Sequence, residues 1–297
     1  MERISFYDQI AKNKRDSLLL AIVVFAFLVS LIYVIGEILT PEFSLFFLIF
    51  GLFVAILYTY GSYMYGDKIV LAATRAKPIK EDDKNYVHLV NVVEGLSIAA
   101  GIPKPKVYVI ETDEINAFAT GRSPENASVA VTTGLLKNLK RDEIEGVVAH
   151  EISHIKNYDI RFMTVVAGMV GLVAILSHMF LRSFSYGPRK KEEKKGGLLL
   201  LIGLILAIVS PIIVRLVQFA ISRRREFLAD ASAVELTRYP EGLASALEKI
   251  MKINKGKMNV SEAVSHLFFT DPNRSPFDKL YATHPPIEER IKILRSM

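Results

Sequence analysis

Residues 144–157 read IEGVVAHEISHIKN, and the organisation of the polar part of the chain can be worked out from this stretch. Apolar residues recur at helical spacing, and acids precede them, so we predict a helix that begins near Asp142. On a helix, positions i and i+4 lie on the same face, so His150 and His154 can bind one metal ion together. Glu151 lies beside the first histidine, where its carboxylate can take a proton from a metal-activated water. The alternative is a surface helix with two unrelated histidines.

A catalytic zinc site needs a third protein ligand and one open coordination position. The 297 residues contain no cysteine, which excludes disulfides, thiol nucleophiles and thiolate ligands. The best remaining candidate is Glu226, because it lies on a predicted helix with a second acid, Asp230, one turn further on. Asp230 can then accept a hydrogen bond from a ligand imidazole. Alternatively, both acids belong to a solvated helix face that balances the arginines at 223–225.

The composition indicates membrane spans joined to a soluble domain, because hydrophobic residues make up 51% of the chain and charged residues 23%. Runs of about 20 apolar residues are long enough to cross a bilayer as helices. Four runs are candidates, at 17–36, 43–63, 162–181 and 197–222. The net charge of +6 beside apolar runs favours contact with anionic lipid, and we expect no nucleic-acid partner.

The distribution of Lys and Arg predicts the orientation in a cell membrane. Basic residues precede the first run and follow the second, and none lies in the loop between them. The N-terminus and the segment after residue 63 should therefore face the cytoplasm. The basic loop between the third and fourth runs opposes this rule if both cross. Either that pair does not fully span the membrane, or the first pair sets the topology.

Several segments resemble those of HtpX-type membrane metallopeptidases, relatives of the CAAX prenyl endopeptidases. Residues 150–159 look like the HExxHxxNxD motif of that family, and residues 226–230 match its ExxAD element. The C-terminal HPP element corresponds to residues 283–286, and the NAFA strand to residues 116–119. The resemblance covers nearly the whole chain in order. It implies one Zn²⁺ per chain and endopeptidase activity on membrane or unfolded polypeptides, in membrane-protein quality control.

The resemblance also implies roles for individual residues. The zinc ligands would be His150, His154 and Glu226, with Glu151 as general base. Further residues would orient the ligands or pin the helix, namely Asp159, Asp230 and Asn157. His284 would stabilise the oxyanion of the reaction; alternatively, it caps the helix that follows the two prolines.

Residues 116–120 read as a strand that has a mechanical rationale. A protease binds its substrate extended, and an exposed edge strand can pair with that peptide. The predicted substrate-binding residues are Asn116, Ala117, Phe118 and Ala119. The alternative is an ordinary interior strand of a small sheet.

These predictions together give a mainly α fold with a small β-sheet, in a multi-pass membrane protein with a zincin-like metalloprotease domain. Its parts are a transmembrane hairpin (1–63), the first part of the protease domain (64–161), a second transmembrane or membrane-associated hairpin (162–222), and the second part of the protease domain (223–297).

Three other functions compete with this interpretation. An intramembrane protease of the site-2 kind is disfavoured because acids and a lysine surround the HExxH segment. A non-catalytic membrane scaffold or chaperone partner would need no metal, so metal analysis separates it from the enzyme. A prenyl-protein processing endopeptidase is a narrower alternative that needs a prenylated test peptide. The sequence leaves the substrates, the regulation and the oligomeric state open.

Overall fold

The computed structural model describes scattered positions between residues 15 and 33, and then residues 41–80, 83–165, 167, 223–258, 260–273 and 285–297. Most of the first and third predicted apolar runs, and all of the fourth, lie outside these residues. His284 of the predicted HPP element also lies outside them.

The described residues are mostly helical with a small mixed sheet, which confirms the predicted fold class at that level. The helices are α1 (Ser44–Ala73), α2 (Val87–Ala100), α3 (Thr133–Asn138), α4 (Arg141–Lys156), α5 (Arg223–Thr237), α6 (Pro240–Ile253), α7 (Glu262–Ser265) and α8 (Ile287–Leu294). The strands are β1 (Lys77–Pro78), β2 (Lys106–Ile110), β3 (Ala117–Gly121) and β4 (Ala127–Thr132).

Helix α1 carries the second predicted apolar run and continues beyond it. Among the described residues it is the one helix long and apolar enough to cross a membrane, and only 11% of its most apolar window is buried. The side chains exposed on it are largely aromatic and aliphatic, such as Phe46, Ile49 and Phe53. In water such a surface is unfavourable, so its exposure fits a lipid environment.

The sheet has the strand order β1-β2-β4-β3. Strands β2 and β4 are parallel, while β1 and β3 pair antiparallel with β2 and β4 respectively. The two-residue strand β1 was not expected from the sequence, because so short a segment has no alternation of polar and apolar residues. Strand β3 lies at an edge of the sheet, beside α4.

Helix α4 lies at the centre of the core, where it packs against α2, α5, α6 and strands β3 and β4. Its apolar residues are fully buried, including Val147, Val148 and Ile152. Helix α6 comes so near that a Cβ on Gly146 would lie 2.7 Å from the backbone nitrogen of Leu243. A glycine at this position therefore sets the distance between the two helices, one turn before His150.

Candidate metal centre

Three buried side chains from two separate parts of the chain meet between α4 and α5. His150 and His154 project from successive turns of α4, and Glu226 projects from the first turn of α5. One donor atom from each of the three lies within 4.8 Å of the other two. The residues are only 1%, 4% and 6% exposed, respectively.

The spacing of these atoms fits a small divalent ion. The two Nε2 atoms lie 3.1 Å apart, and the Glu226 oxygens lie 3.5 Å from Nε2 of His150 and 3.6 Å from Nε2 of His154. A tetrahedral zinc ion with bonds of about 2.0–2.1 Å separates its ligand atoms by about 3.3–3.4 Å. Two imidazoles and one carboxylate are also a ligand set that zinc takes in catalytic sites.

Both histidines are oriented by carboxylates on their other ring nitrogen. Nδ1 of His150 lies 2.9 Å from Asp230, and Nδ1 of His154 lies 3.0 Å from Asp159. A carboxylate at Nδ1 selects the tautomer that carries its proton there and leaves the Nε2 lone pair for a metal.

Asp159 reaches His154 because the chain turns sharply after α4. Asn157 ends the helix, and Tyr158 follows with a positive φ of 60°. A bulky residue is uncommon in this left-handed conformation, which costs of order 1–3 kcal/mol and persists only where the surroundings enforce it. Asn157 is buried at the helix end, where its backbone N–H bonds to the carbonyl of Ser153 at 3.0 Å.

A buried arginine that the sequence did not reveal completes the environment of His150. Arg290 on α8 is 0% exposed, and its guanidinium donates two hydrogen bonds to Asp230. It also lies 4.7 Å above the ring of Phe269, which packs edge-on against His150. The available signal was a charged residue on the apolar face of α8, between Ile287 and Leu294.

The charges around His150 act on its pKa in opposite directions. Burial by itself lowers the pKa of this imidazole, but hydrogen bonds with Asp230 and Glu226 outweigh it and raise the pKa to about 9. Burial raises the pKa of Asp230, but the Arg290 charge and its hydrogen bonds hold that pKa below the usual value. Arg290 thus keeps Asp230 ionised as an acceptor for the His150 ring.

Glu151 lies next to the metal-binding face of α4 and is 2% exposed. Burial is the largest influence on it and raises the pKa of its carboxyl group. The backbone N–H of Ala119 on β3 faces this carboxylate and lowers the pKa, by less than burial raises it. A raised pKa suits a group that must both accept and release a proton near neutral pH.

Strand β3 connects its sheet to this site. Its residues are buried, and the outward backbone carbonyl of Ala117 accepts a hydrogen bond from Phe269 at 2.8 Å. The side chain of Asn116 accepts from the backbone N–H of Ala117 and of Thr270, and donates to the carbonyl of Thr270. Phe118 forms an isolated bridge to Phe268. The predicted substrate strand thus lies at the sheet edge with other parts of the chain against it.

The comparisons with known proteins support the resemblance found in the motifs. The model of peptidase family M48 matches residues 83–297. A "Protease HtpX homolog" of Dictyoglomus turgidum is 44% identical over 100% of this chain and 96% of its own length. One of Caldanaerobacter subterraneus is 49% identical over 82% of each chain. The crystal structure of S. mikatae Ste24p aligns with 97% of this chain and 67% of its own, at 21% identity and a TM-score of 0.48.

Proposed function

The chain belongs to peptidase family M48, a family of metallopeptidases, and from that premise we propose that it is a zinc-dependent endopeptidase of membrane or unfolded polypeptides. The observation that carries the proposal is the convergence of His150, His154 and Glu226. When bound there, zinc supplies a Lewis acid that lowers the pKa of a water molecule to about 7. A role in membrane-protein quality control is part of the proposal.

The proposed general base is Glu151. Its carboxylate would take a proton from the attacking water and pass it to the nitrogen of the leaving amine. Burial raises the pKa of this carboxyl group, and the N–H of Ala119 lowers it by a smaller amount while facing the ionised carboxylate. His284 is proposed to donate to the developing oxyanion, where such a donor is worth about 10²–10³ in rate.

Four residues of the β3 region are proposed to bind substrate as an additional strand, namely Asn116, Ala117, Phe118 and Ala119. The edge position of β3 beside Glu151 supports this. A peptide paired along this edge would bring a scissile bond close to the carboxylate. To do so it would compete with the segment around Phe269 for the outward carbonyl of Ala117.

The proposed membrane arrangement has two hairpins, 1–63 and 162–222, and one protease domain made of 64–161 and 223–297. The proximity of Glu226 to His150 and His154 supports it, because both polar parts must then lie on the same side of the membrane. The distribution of basic residues favours the cytoplasmic side.

The experiment that tests the proposed function replaces Glu151 with Gln in the full chain. Glu151→Gln should retain about one zinc per chain and lose cleavage of an unfolded polypeptide. The matched control is Glu145→Gln on the same helix, where the side chain is 36% exposed and pairs with Arg141. Full activity of Glu151→Gln would overturn the mechanism. Purified wild-type chain without zinc would instead favour the scaffold, and cleavage confined to a prenylated peptide would favour prenyl-protein processing.

A further inference from the structure

The apolar part of α1 ends near residue 63. Residues 44–63 rise about 30 Å, which matches the hydrocarbon thickness of a bilayer. The first charged residues of α1 are Asp67 and Lys68. Residues 63–66 then lie at the level of the phospholipid headgroups. This step rests on the membrane-spanning role of α1 in the proposed function.

The rest of the described chain contacts α1 at that level. A Cβ on Gly66 would lie 3.0 Å from the methyl group of Thr164, so the two segments are in close contact. The hydroxyl of Thr164 lies 2.9 Å from that of Thr120 and accepts from the N–H of Gly121. The end of β3 is thus bonded to the segment that contacts α1. The bonded residue, Gly121, lies two residues after Ala119, whose N–H faces Glu151.

Three arginines contact the segments that meet here, and we call Arg122, Arg161 and Arg225 the arginine collar. Arg161 lies between the rings of Tyr63 and Tyr158, at 5.8 and 5.6 Å, and donates to the carbonyl of Arg122 at 2.9 Å. One of its terminal nitrogens lies 3.4 Å from the Tyr63 hydroxyl. These contacts fix the guanidinium beside the first turn beyond the apolar part of α1.

Arg122 lies beside the same turn, and Arg225 lies against the segment that contains Thr164. The guanidinium of Arg122 contacts the sulfur of Met64. That of Arg225 lies 5.0 Å above the ring of Phe162, two residues before Thr164. Arg225 is 9% exposed, and its Nη1 atom has no hydrogen-bond partner.

The collar carries charge that the described part of the chain does not neutralise. Within the described residues its contacts are rings, a carbonyl, a hydroxyl and a sulfur, and none of the three arginines forms an ion pair with a carboxylate there. By contrast, the buried Arg290 is paired with Asp230. A guanidinium that is partly removed from water is stabilised by an anion, so an anionic group that binds the collar would stabilise it.

We propose that the arginine collar binds the phosphate of an anionic phospholipid at the base of α1. Guanidinium groups bind phosphate oxygens in pairs of parallel hydrogen bonds. The bonds of Arg161 to Arg122 and Tyr63 leave its other terminal nitrogen for a phosphate, and the contact of Arg122 with Met64 uses only one of the Arg122 nitrogens. The rings supply the apolar border of a headgroup site. A lipid fits better than an acidic peptide, because the collar lies at the end of the apolar helix surface.

The experiment measures the affinity of the full chain for phosphatidylglycerol and for phosphatidylcholine, by native mass spectrometry of the protein in detergent. The wild type should prefer phosphatidylglycerol. Arg122→Gln with Arg161→Gln should weaken that binding about twentyfold to thirtyfold, at about 1 kcal/mol for each basic residue. Arg122→Lys with Arg161→Lys keeps the charge and should restore most of the preference for the anionic lipid, even if the Gln pair folds poorly.

The matched control is Lys137→Gln with Arg141→Gln. Both side chains are exposed, and they lie before or at the start of α4, far from the collar. This pair should bind phosphatidylglycerol as the wild type does. Equal loss in both pairs, or no lipid preference in the wild type, would overturn the proposal. A collar pair with normal lipid affinity but weaker binding of an acidic model peptide would overturn it in favour of a polypeptide site. Cleavage by the wild type and not by Glu151→Gln reports separately on the proposed function.

Discussion

Arg290 holds Asp230 through two hydrogen bonds of 2.7 and 2.9 Å, and the same Asp230 carboxylate lies 2.9 Å from Nδ1 of His150. A residue seven positions before residue 297 is thus linked to the HExxH helix by one carboxylate. Both side chains are buried, so removing either one would leave the charge of the other buried without its partner. The C-terminal helix α8 therefore takes part in orienting a metal-ligand imidazole.

Replacing Arg290 should weaken both the fold and zinc binding. Arg290→Gln leaves Asp230 buried without its cation, and breaking a buried pair from one side costs about 3–5 kcal/mol. Arg290→Lys keeps the charge but cannot form the two parallel bonds, so it should recover only part of the loss. The measurements are the free energy of unfolding and the zinc dissociation constant. Arg295→Gln directly after the same helix, with its side chain 42% exposed, is the control and should change both by less than 1 kcal/mol.

Zinc affinity should depend on pH through His150. The pKa of this histidine is raised from 6.5 to about 9, and zinc binds only the neutral ring, so binding must release a proton. Zinc affinity should rise by up to about tenfold per pH unit below pH 9 and level off above it.

In zinc-stripped protein, the stability of the fold should change with pH in the opposite direction. The raised pKa stabilises the fold fully below pH 6.5, and this stability is lost as the pH rises through about 9.

Asp230→Asn tests the cause of that pH dependence. It removes a hydrogen bond and a negative charge that both raise the pKa of His150. The pH dependence of zinc binding should then shift to lower pH, as read by chelator competition. An unshifted profile would mean that another group titrates.

Gly146 should tolerate no side chain, because α4 and α6 are in contact there. Gly146→Ala brings a methyl group to 2.7 Å from the backbone of Leu243 and should destabilise the fold by about 1–3 kcal/mol. The matched control is Gly95→Ala in α2, where nothing lies within 4 Å. Gly95→Ala should be stabilising by about 0.5–1 kcal/mol. Thermal unfolding of both variants measures the difference, and equal effects would show that helix propensity, not contact, governs position 146.

Replacing Asn116 separates a structural role of its side chain from a role in substrate binding. Its three hydrogen bonds to the backbone of Ala117 and Thr270 predict that Asn116→Ala destabilises the fold by about 2–3 kcal/mol. Asn126→Ala, which loses one exposed bond to Ser123, should change little. Unfolding experiments and Michaelis–Menten kinetics decide the matter. A raised KM with unchanged stability would assign the Asn116 side chain to the substrate.

The sequence by itself determined the features that depend on local spacing. The i and i+4 positions of His150 and His154 follow from helix periodicity, and the separation of apolar runs from polar segments follows from composition. A second acid one turn after Glu226 made the pairing of Asp230 with an imidazole a natural expectation. Strands β2 and β4 consist of alternating and β-branched residues, a local pattern that favours strands.

Only the tertiary structure decided the relationships between residues far apart in the chain. The position of Arg290 on the apolar face of α8 is a local signal, but its role comes from packing beside Asp230, 60 positions earlier. Strand β1 forms only because β2 offers it an edge, and the arginine collar exists only because α1 contacts the segment after α4. Packing and charge pairing act through space, so their partners are chosen by the fold and not by distance along the chain.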